Sequence, residues 1–213
     1  MTETAPRREV NSAHTQAGAL SDRRLGALLI GAGLTGLTAA IVLLVEKLEL
    51  LVNPDYIPTC NVSPILSCGS VMTTPQAEAF GIPNPIIGIA GFAAVAVVGG
   101  AVLAGSGFRR WFWVGAQVGV TFAVVFVHWL IYQSLYVIGA LCPYCMVVWA
   151  VTIPIFWYTT VYNLQHFQGS TPRWARQSIE IATGYHGVLL TAWVLLVITL
   201  IAARFWDYWI SLM

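Results

Sequence analysis

Four cysteines are the residues in this sequence whose type and spacing could do chemistry. Cys60 and Cys68 enclose seven residues, and Cys142 and Cys145 lie in a Cys-Pro-Tyr-Cys motif. Thiols at such spacings can pair as disulfides, bind a metal ion or exchange electrons with another dithiol. The choice between these chemistries depends on where the surrounding elements place the two pairs.

The second pair lies where a helix is predicted to begin. Pro143 suits the first helical position, so Cys142 is expected at the N-cap or in the first turn. Unpaired backbone N–H groups and the positive end of the helix dipole would then face its sulfur and stabilise a thiolate. Cys145 is three residues further on, shares the helix face and can close a small, reducible ring. Spacing and context favour a redox-active pair.

The composition predicts a membrane protein. Of 213 residues, 58% are hydrophobic and only 9% are charged, with a mean hydropathy of +0.75. A soluble domain carries about 25% charged residues. The net charge of +1 supplies no basic field for a polyanion, so we exclude nucleic-acid binding together with disorder and a secreted disulfide scaffold.

Uncharged segments predict an all-α integral membrane protein with five transmembrane helices. A crossing needs about 20 apolar residues, so the long uncharged run after Arg110 holds two crossings joined by a turn near Gly139 to Pro143. The predicted spans are Leu25–Val45, Ile86–Phe108, two within Trp111–Pro172, and Ile181–Ala203.

Basic residues predict the orientation, because cytoplasmic loops hold the excess of Lys and Arg. With the N-terminus inside, only Lys47 and Arg204 lie outside. The cytoplasmic set is Arg7, Arg8, Arg23, Arg24, Arg109, Arg110, Arg173 and Arg176. We expect a disordered cytoplasmic tail over residues 1–24, a transmembrane domain over 25–213 and an external redox loop over 46–85. The first apolar run is too long for a signal peptide.

This topology gathers all four cysteines on the external side, where disulfides form and persist. One alternative is a zinc site, although the wider pair does not have a common zinc spacing. Another is a non-catalytic, disulfide-stapled scaffold or partner-binding protein, which explains Cys60 and Cys68 better than Cys142 and Cys145. The third is a redox relay from a soluble partner through the loop pair to the helix pair. Because Cys145 would lie one turn deeper, its natural electron acceptor is a lipid-soluble quinone.

The ordered motifs resemble the vitamin K epoxide reductase family, whose bacterial members are disulfide-forming quinone reductases. The resemblance spans about residues 25–162 and includes the wide cysteine pair, Asn-Pro-Ile-Ile-Gly at 84–88 and Cys-Pro-Tyr-Cys. Dsb-type quinone reductases place the two kinds of pair in the reverse order. The resemblance implies a core four-helix bundle around a quinone, menaquinone or ubiquinone, with the external loop as its cap.

The resemblance also implies roles for individual residues. Cys60 would be met first by the partner, Cys68 would exchange with Cys142, and Cys145 would lie beside the quinone. Asn84 matches the family's quinone-binding asparagine, and its other reading is N-cap of the second helix.

Two further residues take implied roles at the quinone site. Thr74 occupies a hydroxyl position of the family near the cap, although a turn-stabilising role before Pro75 explains it equally well. Trp149 stands where vertebrate members have a substrate-contacting tyrosine, so plain quinone reduction is expected rather than epoxide reduction.

Partner and location follow from the same resemblance. Many relatives carry a fused thioredoxin-like domain, and since this chain ends at Met213 we expect a separate external thioredoxin-fold, Dsb-type partner. A bacterial plasma membrane is favoured because no ER-retention signal is present. His128, within the third span, is either a proton relay for quinol formation or a packed histidine.

Overall fold

The structure is a computed structural model that describes residues 21–166 and 184–211. Five helices in these ranges are long and apolar enough to cross a membrane, which confirms the predicted all-α membrane protein. The α-helices are α1 Asp22–Val52, α2 Cys68–Met72, α3 Asn84–Leu103, α4 Arg110–Tyr132, α5 Pro143–His166, α6 His186–Arg204 and α7 Trp206–Ser211. A 3₁₀ turn covers Pro75–Glu78, and a π-helical turn, Gln133–Ile138, continues α4.

The first helix is longer than predicted at both ends. It begins at Asp22, where the Ser21 side chain accepts a hydrogen bond from the Arg24 backbone N–H. The last residues of the predicted tail, 22–24, are therefore helical. The rest of that tail, residues 1–20, lies outside the described residues. The helix passes through the charged residues after Val45 and ends at Val52, shortly before Pro54, which disfavours helix in the residue preceding it.

The predicted external loop is therefore shorter than expected, and we call the segment 53–83 the cap. The second membrane helix starts at Asn84 rather than Ile86 and ends at Leu103, because Gly105 adopts a left-handed φ of 81°. The predicted turn between the third and fourth spans is confirmed, with Gly139 at φ 71° closing the π-helical turn.

Small residues bring α1 and α3 into close contact. A Cβ on Gly33 would lie 2.9 Å from the backbone nitrogen of Ala96, and one on Gly99 would lie 2.7 Å from that of Ile30. Only glycine allows the two backbones to approach this closely, as in other membrane helix pairs. Helices α4 and α5 join this pair, and the four helices line a cavity that extends along the bundle.

The ends of the bundle differ in what they carry. At one end, the cap covers the start of α5 at Pro143, and we call this the cysteine end. At the opposite end, the Tyr162 hydroxyl donates to Asp22 at 3.0 Å and its ring packs against Trp113. The fifth membrane helix, α6, returns to the cysteine end, where Arg204 Nε donates to the Leu135 carbonyl at 2.8 Å.

Candidate redox site

Backbone hydrogen bonds fix the cap against the start of α5. Leu66 and Leu141 form a short parallel β-bridge. The Ser67 N–H donates to the Leu141 carbonyl at 2.9 Å, and the Leu141 N–H donates to the Ile65 carbonyl at 2.7 Å. These bonds place the residue before Cys68 beside the residue before Cys142.

The structure brings the four cysteines together. Cys60 and Cys68 form a disulfide, whereas Cys142 and Cys145 are free thiols. The sulfur of Cys142 lies 3.2 Å from the sulfur of Cys68, and both residues are fully buried. Reacting atoms held at about 3–3.5 Å are in a near-attack arrangement, so the two pairs are within range for thiol–disulfide exchange.

Cys142 is the N-cap of α5. Its carbonyl accepts the first helical hydrogen bond from the Met146 N–H at 3.0 Å, and its sulfur accepts from the Cys145 N–H at 3.4 Å. The pKa of the Cys142 thiol is lowered because the Cys145 thiol donates a hydrogen bond to its sulfur. The backbone N–H groups of Cys145 and Tyr144 act in the same direction, while burial opposes them. The thiolate form of Cys142 is therefore stabilised at this position.

An apolar cavity of about 730 Å³ begins beside the helix pair. Cys145 lines it, whereas Cys142 does not, so the two thiols of the motif face different surroundings. The cavity continues between α3 and α4 to Trp111 and Trp113 at the opposite end. Its volume lies in the usual range for small-molecule sites, roughly 300–1,000 Å³, and its elongated shape suits a ring with a long apolar tail.

The three predicted quinone ligands differ in placement. Asn84 lines the cavity, but its predicted N-cap role is wrong, because its side chain makes no capping bond. Instead, the Asn84 amide donates to the Gln76 carbonyl at 2.8 Å and accepts from the Ala79 N–H at 3.1 Å, which ties α3 to the cap. A carboxamide has two N–H donors, so one remains for a ligand.

Trp149 also lines the cavity, one helical turn beyond Cys145. It is 3% exposed, and its indole N–H is buried with no hydrogen-bond partner among the described residues. Thr74 is not among the residues that line the cavity. Its hydroxyl donates to the Val71 carbonyl at 2.7 Å, as expected from its alternative, turn-stabilising role.

His128 lies on the face of α4 that packs against α6. Its Nδ1 lies within hydrogen-bond distance of the Val124 carbonyl, and its ring contacts Trp193 with centroids 4.4 Å apart. It is not among the cavity-lining residues. This placement favours the packed histidine over the proton relay.

Sequence reasoning missed Glu46 and Lys47. Both are buried at the cysteine end of α1, and both contact the cap. The sequence signal that could have found them is an adjacent pair of opposite charges directly after an uncharged span. From hydropathy alone, this pair indicates the end of the membrane span. Buried charges close to a membrane span are functional candidates because they are costly to retain.

These features define a membrane protein built for thiol–disulfide exchange: two cysteine pairs in exchange range, one of them bordering an apolar cavity between helices. The model of the vitamin K epoxide reductase family matches residues 27–160, more than half of the chain, and the protein belongs to this family. Membership implies a membrane thiol oxidoreductase activity, and the family is generally linked to quinones. A comparison with curated proteins gives no match.

Proposed function

We propose that this protein oxidises the dithiol of a Dsb-type thioredoxin-fold partner and passes the electrons to a membrane quinone. The observation that carries the proposal is the arrangement of the sulfurs. Cys68 contacts Cys142 at 3.2 Å, and Cys145, in the same motif, borders the cavity. Electrons can pass along this line in two-electron steps, from the reduced cysteine pair of the cap to the oxidised pair of the helix.

The exchange steps balance as follows. The partner's dithiol reduces the Cys60–Cys68 disulfide through a mixed disulfide at Cys60 and leaves oxidised. The Cys68 thiolate then attacks Cys142 of an oxidised helix pair, which forms the Cys68–Cys142 disulfide and releases Cys145 as a thiolate. Cys60 attacks Cys68, restores the cap disulfide and releases Cys142. The structure, with the cap pair oxidised and the helix pair free, corresponds to the state after these steps.

Re-formation of the Cys142–Cys145 disulfide releases two electrons and two protons, and a quinone bound beside Cys145 would accept them and leave as the quinol. The described residues fit such a ligand. The free N–H of Asn84 offers a donor for a carbonyl oxygen, and Trp149 offers a flat apolar surface beside Cys145. The rest of the cavity is apolar enough for an isoprenoid tail. The tyrosine hydroxyl of vertebrate members is absent at Trp149, so the substrate we propose is a quinone rather than an epoxide.

The deciding experiment is quinone reduction by the purified protein with a dithiol donor, compared across four single variants. We expect Cys142→Ala and Cys145→Ala to abolish turnover with any donor. Cys60→Ala and Cys68→Ala should lose turnover with a thioredoxin-fold donor and keep it with dithiothreitol, which can reduce the helix pair directly. Full activity of Cys145→Ala would refute the proposed relay.

We also propose that the cysteine end faces the exterior of a bacterial plasma membrane. The distribution of Arg residues supports this orientation, because basic residues concentrate in cytoplasmic loops. The test is labelling of a single cysteine placed at exposed Asp55 with a membrane-impermeant maleimide, in a variant whose four native cysteines are replaced. Labelling of intact cells is expected. Labelling only after lysis would reverse the orientation.

A further inference from the structure

Two adjacent charged side chains, Glu46 and Lys47, lie buried at the cysteine end of α1 and take no part in the proposed electron transfer. They are 5% and 8% exposed. A charge in such surroundings is retained only when hydrogen bonds and opposite charges compensate it. Within residues 21–166 and 184–211, the side-chain partners of both lie in the cap.

Glu46 holds the arm of the cap that leads to Cys60. Its carboxylate accepts hydrogen bonds from the Tyr56 hydroxyl at 3.0 Å, from the Thr59 N–H at 3.2 Å and from the Thr59 hydroxyl. Thr59 immediately precedes Cys60. The contact raises the pKa of Tyr56, because the hydrogen bond to Glu46 is available only to the neutral phenol.

Lys47 holds the other arm, which carries Cys68. Its Nζ donates to the Met72 carbonyl at 2.7 Å and pairs with a Glu78 carboxylate oxygen at 2.9 Å. Met72 is the last residue of α2, and Cys68 is the first. A single helical turn is stiff, so a contact that fixes its last carbonyl also fixes the position of the sulfur at its start.

We propose that Glu46 and Lys47 are positioning residues for the exchange between the cysteine pairs. Lys47 keeps Cys68 within reach of Cys142, and Glu46 keeps the Cys60 arm closed over the disulfide. The inference rests on the proposed function, since it concerns the transfer from cap to helix pair. A displacement of about 1 Å at reacting atoms can slow a reaction roughly 100-fold, so loss of Lys47 should slow the exchange by about 10- to 100-fold.

The experiment measures sulfur position without any quinone. In the background Cys60→Ala/Cys145→Ala, Cys68 and Cys142 are the only thiols left among the four cysteines. Copper–phenanthroline removes two electrons and two protons from the pair, and the resulting disulfide is followed by a gel shift over time. We expect rapid closure in this background, closure about 10- to 100-fold slower with Lys47→Met, and recovery of at least half the rate with Lys47→Arg.

Two controls keep the test specific. Glu49→Gln removes an exposed charge two residues away on α1 and should leave the closure rate within about twofold, as expected for a surface position. Thermal unfolding of Lys47→Met, monitored by near-ultraviolet circular dichroism, identifies loss of the fold. A folded Lys47→Met that closes at the unsubstituted rate would overturn the role of Lys47, and so would failure of the arginine to restore it.

Glu46 is tested in the complementary background Cys142→Ala/Cys145→Ala, which retains only the cap pair. After reduction, labelling of Cys60 by a bulky maleimide should be at least several-fold faster with Glu46→Ala, because the arm that covers it is released. Unchanged labelling would refute the role of Glu46. Failure of the wild-type protein to reduce quinone would refute the proposed function. The disulfide-closure rate and the maleimide-labelling rate would still report the positions of the sulfurs.

Discussion

The apolar cavity predicts that the protein distinguishes quinones by their tails, and Gly119→Leu tests this. Gly119 lines the cavity, and a Cβ added there meets no atom within 4 Å. The Cβ therefore enters without a clash, and we expect the rest of the leucine side chain to take up cavity space. Replacing a helical glycine by leucine also favours the helix by roughly 0.5–1 kcal/mol, so the variant should fold at least as well as the wild type.

The expected magnitude follows from steric competition rather than from desolvation. An isoprenoid tail moves from lipid to protein, and lipid is as apolar as the cavity wall, so little hydrophobic free energy is at stake. Extra methylenes in a packed apolar site cost about 1–3 kcal/mol. This cost corresponds to an increase in KM for a long-tailed quinone of roughly 5- to 150-fold.

The assay is steady-state quinone reduction with dithiothreitol, using one quinone ring with no tail, a short tail and a long tail. KM for the tail-less quinone should stay within about twofold of wild type, because under the proposed function the ring binds near Cys145 and only the tail reaches the space beside Gly119. Gly100→Leu on α3 is the matched control, since a Cβ there is equally unobstructed and Gly100 does not line the cavity. A KM that rises equally for all three quinones, or a change shared by Gly100→Leu, would refute the tail path.

Three other predictions concern residues around the site. Cys145→Ala should raise the pKa of Cys142, because the hydrogen bond from the Cys145 thiol, the largest cause of the lowered pKa, is lost. The midpoint of an ultraviolet thiolate titration should therefore move to higher pH. An unchanged midpoint would show that Cys145 is not the donor. Asn84→Leu should raise KM for quinone by roughly 10-fold or more through the lost donor, whereas an unaltered KM would exclude it as a ligand. Arg204→Met should lower the free energy of unfolding by about 1–3 kcal/mol, because the Leu135 carbonyl loses a charged donor, as chemical denaturation can measure.

The hydropathy pattern was sufficient for the number and order of the membrane helices. Uncharged runs locate spans because backbone and side chains both need an apolar environment there, and Gly139 and Pro143 mark the tight turn between two of them. The same rule misplaced the end of α1. Charged residues end a span only when they must reach water, and Glu46 and Lys47 are compensated by cap residues 10–31 positions later in the chain.

The site residues also differ in whether neighbours in sequence or distant contacts determine their geometry. Pro143 after Cys142 predicted the N-cap geometry, which depends on neighbours in sequence. The contact of Cys68 with Cys142 spans 74 residues and depends on the β-bridge at Leu141, for which no local pattern exists. Asn84 shows the limit of local information most clearly. Its position before a proline at the start of a helix predicted a helix N-cap, yet its side chain bonds to Gln76 and Ala79 of the segment 53–83.

The separate anchors at Glu46 and Lys47 resolve a conflict between access and transfer. Under the proposed function the partner must reach the sulfur of Cys60, which is only 5% exposed, while Cys68 must stay beside Cys142. A cap that opened as one body would expose Cys60 and withdraw Cys68 together. We expect release of the hydrogen bonds to Glu46 to loosen the Cys60 arm first, because α2 remains attached through Lys47. The first membrane helix can therefore admit a partner on one side of the disulfide and preserve the exchange distance on the other.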